Sequence, residues 1–83
     1  MNHLKTETTM RDMIKKGSFH DAKNIGERYL KENGGNVTIQ HLMASIYFAL
    51  NDVITAWFYI HRNPESELKA KIFSRIRWLY PNR

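Results

Sequence analysis

The 83-residue chain has no cysteine, only two prolines and four glycines, and no unbroken apolar run of the length a membrane span needs, about twenty residues. Without cysteine there are no disulfides, no thiolate metal sites and no cysteine nucleophile, a composition that fits a reducing compartment. The N-terminal stretch MNHLKTETTMRDM carries no apolar signal-peptide core, so a cytoplasmic location is expected. Charge is also missing where it would be conspicuous. From Gly35 to His61 there is no lysine or arginine, and Asp52 is the only acid.

What charge there is lies at the two ends. The chain carries a net +5, of which +2 falls between Met1 and Gly34 and +4 between Arg62 and Arg83, with Asp52 making up the difference. Such a basic tail reads first as a solvated helix face, and in the sharper alternative as a phosphate-binding strip. With 42% apolar and 25% charged residues, the composition is that of one globular domain. A chain of this size buries only roughly 60–65% of its unfolded surface, so its own core is marginal.

The few glycines, prolines and asparagines divide the chain into five helical segments. The first runs from about Leu4 to Lys16 with a ragged stripe of Leu4, Met10, Met13 and Ile14, and Gly17 ends it in the left-handed conformation that glycine adopts without steric cost. Ser18 then caps the second helix, with Asp21 in a capping-box-like position and Phe19, Ala22, Ile25 and Tyr29 at helical spacing. Asn33-Gly-Gly35 stops it. The third helix spans about Val37–Leu50 and the fourth about Val53–Arg62, with Asn51 and Asp52 breaking the chain between them. The run IYFALNDVITAWFYI is therefore two helices and a bend. In NPESE, Asn63 serves as a cap and Pro64 as the first helical residue of a fifth helix carrying Leu68, Ile72, Ile76 and Leu79. No segment alternates as a strand, and the expected fold class is all-α.

Sliding the chain on itself by 34 residues aligns Met10 with Ala44, Met13 with Tyr47, Gly17 with Asn51, Phe19 with Val53 and Ala22 with Ala56. Both breaks coincide, as do the small residues after them. Ala44 and Ala56 allow two helices of a hairpin to approach closely, while Tyr47 and Ile60 fill the space beside them. Helix, tight turn and helix at this period resemble tetratricopeptide repeats, with GSFHDA and ASIYFALNDVITA as the matching segments. That resemblance implies helical hairpins of tetratricopeptide-repeat type, about two repeats plus a C-terminal helix, in a single domain over residues 1–83. Met10 is larger than the pattern expects, and Pro64 arrives about four residues early.

Catalytic and metal chemistry find no motif. The histidines at 3, 20, 41 and 61 never fall at i, i+3 or i, i+4 spacing, and Gly34–Gly35 lacks the lysine and hydroxyl residue of a phosphate loop. Ser45 and Ser74 have no evident base, and no carboxylate pair sits in an apolar setting. The expectation is a binding protein without enzymatic activity, metal or cofactor. Trp57, Phe58 and Tyr59 are consecutive on a helix, point about 100° apart and cannot all face one core, so at least one is exposed or covered by a partner.

The segment His41–Pro81, with its ALND turn and its last helix ending Arg77-Trp-Leu-Tyr-Pro81, resembles the C-terminal part of the small tetratricopeptide-type chaperones of type III secretion needle subunits. The likeness covers about half the chain. It implies a cytoplasmic heterodimer with a very small helical co-chaperone, holding the needle subunit's amphipathic helix in a concave groove until secretion. In such a fold the first helix of each repeat lines the concave face. Here that face comprises Leu4, Glu7, Arg11 and Ile14, then Thr38, His41, Ser45, Phe48 and Ala49, then Ile72, Arg75 and Ile76, with Trp57 as a further partner contact. Ile14, Phe48, Ile72 and Ile76 would touch the guest helix, while Arg11 and Arg75 would pair with its acids. A second reading belongs to another class. KKGSFHDAKNIGERYL faintly resembles small virulence regulators of the PerC and ANR type, in which Lys69, Lys71, Arg75, Arg77 and Arg83 would contact nucleic-acid phosphates.

Overall fold

A computed structural model describes residues 3–81 of the chain. It contains five helices: α1 (His3–Lys15), α2 (Phe19–Asn33), α3 (Val37–Ala49), α4 (Val53–Ile60) and α5 (Glu67–Leu79), with no strand among the described residues. Each helix packs on the next, and α1 also reaches α3. The result is an elongated stack of antiparallel hairpins, 44 × 25 × 20 Å. None of these helices is long and apolar enough to cross a membrane.

The 34-residue correspondence holds down to individual backbone hydrogen bonds. At the first turn Gly17 N–H donates to Ile14 O (3.0 Å) and Ser18 N–H to Met13 O (2.8 Å); at the second, Asn51 N–H donates to Phe48 O (3.0 Å) and Asp52 N–H to Tyr47 O (2.8 Å). Both are Schellman endings, in which one left-handed residue turns the chain and satisfies two orphan carbonyls. Gly17 has φ 81° and Asn51 φ 68°, so asparagine does at the second turn what glycine does at the first.

Packing divides the interior into two clusters. Met10, Ala22, Ile39, Leu42, Met43 and Ile46 join α1, α2 and α3, and Ala44, Ala56, Ile60 and Ile72 join α3, α4 and α5. Each fully buried isoleucine contributes about 1.5–3 kcal/mol relative to exposure. Ala44 and Ala56 are buried in the same cluster, as the sequence predicts. Tyr47 spans both clusters, stacks on Tyr59 at 5.7 Å and donates from its hydroxyl to Glu27 Oε2 at 3.0 Å. Burial and then that hydrogen bond push its hydroxyl pKa up to about 12. Gly26 is what lets α2 sit close. A Cβ there would lie 2.5 Å from Met43 Sδ and 2.7 Å from Met10 Cε.

Several local expectations need correction. Ser18 occupies the N-cap of α2, but its side chain makes no capping bond; its ψ of 64° is not the extended value that aims the hydroxyl at the first turn. The fifth helix begins later than Asn63-Pro64 implies. Ser66 is its cap, accepting from Lys69 N–H at 3.1 Å, and Glu67 is its first residue. Asn63 is instead buried, donating from Nδ2 to Val37 O at 3.2 Å, and its own carbonyl accepts from Lys69 Nζ at 2.8 Å. It ties the α4–α5 connection to the start of α3. In α1 the buried positions are Thr6 and Met10, while Leu4 is 59% exposed and stands outside the stripe it was assigned to.

Candidate functional site

The largest open groove runs between the C-terminal end of α3 and one side of α5. It offers about 880 Å³ and is lined by Phe48, Glu67, Ala70, Lys71, Ser74, Arg75 and Trp78. Ala70 and Ser74 are small, so the floor along α5 is shallow, while Phe48 and Trp78 supply apolar walls. Trp78 is 77% exposed, an unusual state for the largest side chain in the molecule. The Arg75 guanidinium lies 5.5 Å from the centre of the Phe48 ring and reaches Asn51 Oδ1 at 3.5 Å, so the second turn helps to hold it over the aromatic. Among the described residues neither Lys71 nor Arg75 forms an ion pair with a carboxylate.

Of the residues assigned to a partner surface, the structure brings Phe48 and Arg75 together in this groove and places the others elsewhere. Ile72 is fully buried in the α3–α5 cluster and is a core residue, not a guest contact. Ile76 packs half-buried against the same cluster, and Ile14 against the other. Trp57 is half-buried, 5.6 Å from the Phe73 ring with Lys69 Nζ at 6.0 Å, so α5 already covers much of it. Phe58, at 69% exposure, is the member of the aromatic triplet left outside. Arg11 pairs with Glu7 at 4.0 Å on α1. On α3, half-buried His41 is held below its usual pKa by burial and then by the Arg11 charge, which places those two side chains on neighbouring surface. Ser45 is half-buried, whereas Leu4 and Ala49 are exposed; none of the three lines the groove.

The α5 assignments miss for a geometric reason. Carrying the 34-residue period past Pro64 puts Ile72, Arg75 and Ile76 on the inner face. The connection to α5 is about four residues shorter than a full repeat requires, so α5 enters at a different rotation. Glu67, Lys71, Ser74 and Trp78 then form the inner stripe at helical spacing, and Ile72 turns into the core. Trp78 is the groove residue that sequence reasoning missed. An offset of 30 residues pairs it with Phe48 and pairs Lys71 with His41, and this is the signal that points to it.

The basic residues of the alternative phosphate-binding set also separate. Lys69 is largely buried, its side chain 13% exposed and bound to Asn63 O and Glu65. Lys71, Arg75 and Arg77 are exposed on different sides of α5, Arg77 lying 5.8 Å from the Phe73 ring, and Arg83 is outside the described residues. No family model, no curated protein and no solved structure matches the chain.

Proposed function

We propose that this protein is a non-catalytic, cytoplasmic chaperone whose groove between α3 and α5 holds an amphipathic helix of another protein. The observation that carries this reading is the pairing of Phe48 with the exposed Trp78 across a shallow floor of small residues. Uncovered aromatic walls of this kind serve as anchors when a helix lies in a groove. Taken with the resemblance of His41–Pro81 to needle-subunit chaperones of type III secretion, the client is a needle-type subunit. Its sticky helix is masked until export, and a small helical co-chaperone completes the complex. Tetratricopeptide-type hairpins suit this task, because stacked helical pairs leave one face open for a guest. No bond is made or broken; the helix is released by handing it on.

The test is purification of the tagged chain from its native host, followed by identification of the small proteins that co-elute. The expected result is one or two small, helix-rich proteins, lost on Phe48→Asp and on Trp78→Asp while circular dichroism stays unchanged. Recovery of nucleic acid at physiological salt in place of a small protein overturns the reading in favour of the regulator class.

A further inference from the structure

The geometry points to a guest helix that is acidic as well as apolar, with two carboxylates one helical turn apart facing Lys71 and Arg75 and a basic residue about one turn further on, facing Glu67. This rests on the proposed helix-holding groove and adds the charge pattern of its occupant. Along α5 the groove presents Glu67, then Lys71, then Arg75, each four residues after the last and so on adjoining turns of one face. The two cations have no carboxylate partner among the described residues, whereas Lys69, one position off this face, is already committed to Asn63 O and Glu65. Arg75 is pinned between the Phe48 ring and Asn51 Oδ1 and is therefore partly ordered before a guest arrives. A carboxylate meeting it loses less side-chain entropy than one meeting a free arginine.

A second copy of this chain fits less well than an acidic helix. The chain carries +5, the groove itself has two cations for one anion, and no exposed acidic-apolar helix face is available to fill it. Like charges placed opposite each other set the partner's sign as firmly as apolar contacts set its shape.

The experiment measures binding of the full chain to two fluorescent helical peptides by anisotropy. One has a leucine face flanked by two glutamates a turn apart; its twin has lysines in their place. The acidic peptide is expected to bind roughly tenfold more tightly at low salt, with the difference shrinking as salt rises. Lys71→Glu with Arg75→Glu should reverse the preference, and Lys71→Gln with Arg75→Gln should abolish it, both at unchanged helicity since these side chains are exposed. Phe48→Asp should weaken both peptides. Equal binding of the twins overturns the charge pattern and leaves the helix-holding reading intact. Binding of neither peptide, or a preference unaffected by Phe48→Asp, overturns the inference and shows that the groove is not the site. Concentration-dependent dimerisation abolished by Phe48→Asp also overturns it, by placing a second copy in the groove.

Discussion

The two hairpins share a turn geometry and differ in how they close. In the α3–α4 hairpin Ala44 meets Ala56 in the core, two small rigid side chains at closest approach. In the α1–α2 hairpin the position equivalent to Ala44 is Met10, and the space it needs comes from Gly26, whose missing Cβ leaves room for Met10 and Met43. The backbone solution is therefore common and the packing solution is not. One hairpin is close-packed by small residues, while the other is filled by flexible thioethers that adapt to the gap. The second hairpin is also the one that carries aromatics where the first has aliphatics: Tyr47 and Phe48 stand where Met13 and Ile14 do.

That last difference supports the largest expected effect. Tyr47 bridges the two clusters and stacks on Tyr59, so Tyr47→Asp removes a central aromatic and leaves a charge half-buried. A loss of about 3–5 kcal/mol is expected, enough to take most of the stability of a small domain. Phe48→Asp, one residue on, should cost roughly 1–2 kcal/mol, because its ring lies at the groove wall. The pair is compared by urea unfolding and far-UV circular dichroism. A larger loss at Phe48 than at Tyr47 would mean that the groove wall is core.

Overpacking separates the hairpins next. Ala56→Leu should cost roughly 1–3 kcal/mol, since Ala44 and Ile60 surround it without slack. Ala22→Leu at the equivalent position of the first hairpin should cost less than Ala56→Leu, because Met10 can shift its terminal atoms. Thermal melts of the two variants give the comparison directly, and equal losses would remove the distinction between rigid and adaptable closure.

How far the sequence reached can be judged at these same positions. Five helices, both Schellman turns and the Ala44–Ala56 contact are legible because each depends on local signals, namely glycine or asparagine at the turn and small residues at helical spacing. What was not legible depends on rotation and on tertiary demand. The start of α5 has three plausible caps within four residues, Asn63, Ser66 and the Pro64 position, and sequence alone favours the first. In the fold Asn63 is drawn away to bond Val37 O, a residue 26 positions earlier, and Ser66 takes the cap. That shift sets which side of α5 faces inward, so the same step that hid the cap also misplaced Ile72 and concealed Trp78. The groove was half visible: Phe48 and Arg75 were found, and its α5 wall was not.

The turns themselves admit an exchange. Gly17 at φ 81° has no atoms within 4 Å of where a Cβ would lie, so Gly17→Ala meets only the backbone penalty of the left-handed region, about 1–2 kcal/mol. Gly17→Asn should cost distinctly less, since asparagine already holds φ 68° at the matching position, and Asn51→Gly should be neutral or stabilising by a few tenths. The exception would be Arg75, which loses its 3.5 Å contact with Asn51 Oδ1. If Asn51→Gly weakened guest binding without lowering stability, that contact would be the cause.

The smallest effect tests the caps, where the two hairpins differ most quietly. Asp52 accepts from Thr55 N–H at 3.2 Å and Ser18, its counterpart 34 residues earlier, makes no such bond. Both residues follow the left-handed position and both carbonyls accept the first helical bond, from Ala56 N–H and Ala22 N–H at 3.1 Å each. The backbone is thus equivalent, and only the side-chain bond separates them. Asp52→Ala should then cost about 1 kcal/mol by losing both the cap and a favourable charge at the helix start, whereas Ser18→Ala should change stability by less than about 0.5 kcal/mol. Matched urea titrations resolve a difference of that size when the m-values agree. If Ser18→Ala costs as much as Asp52→Ala, the serine hydroxyl caps α2 in solution, and the two turns are alike in their side chains as well as their backbone.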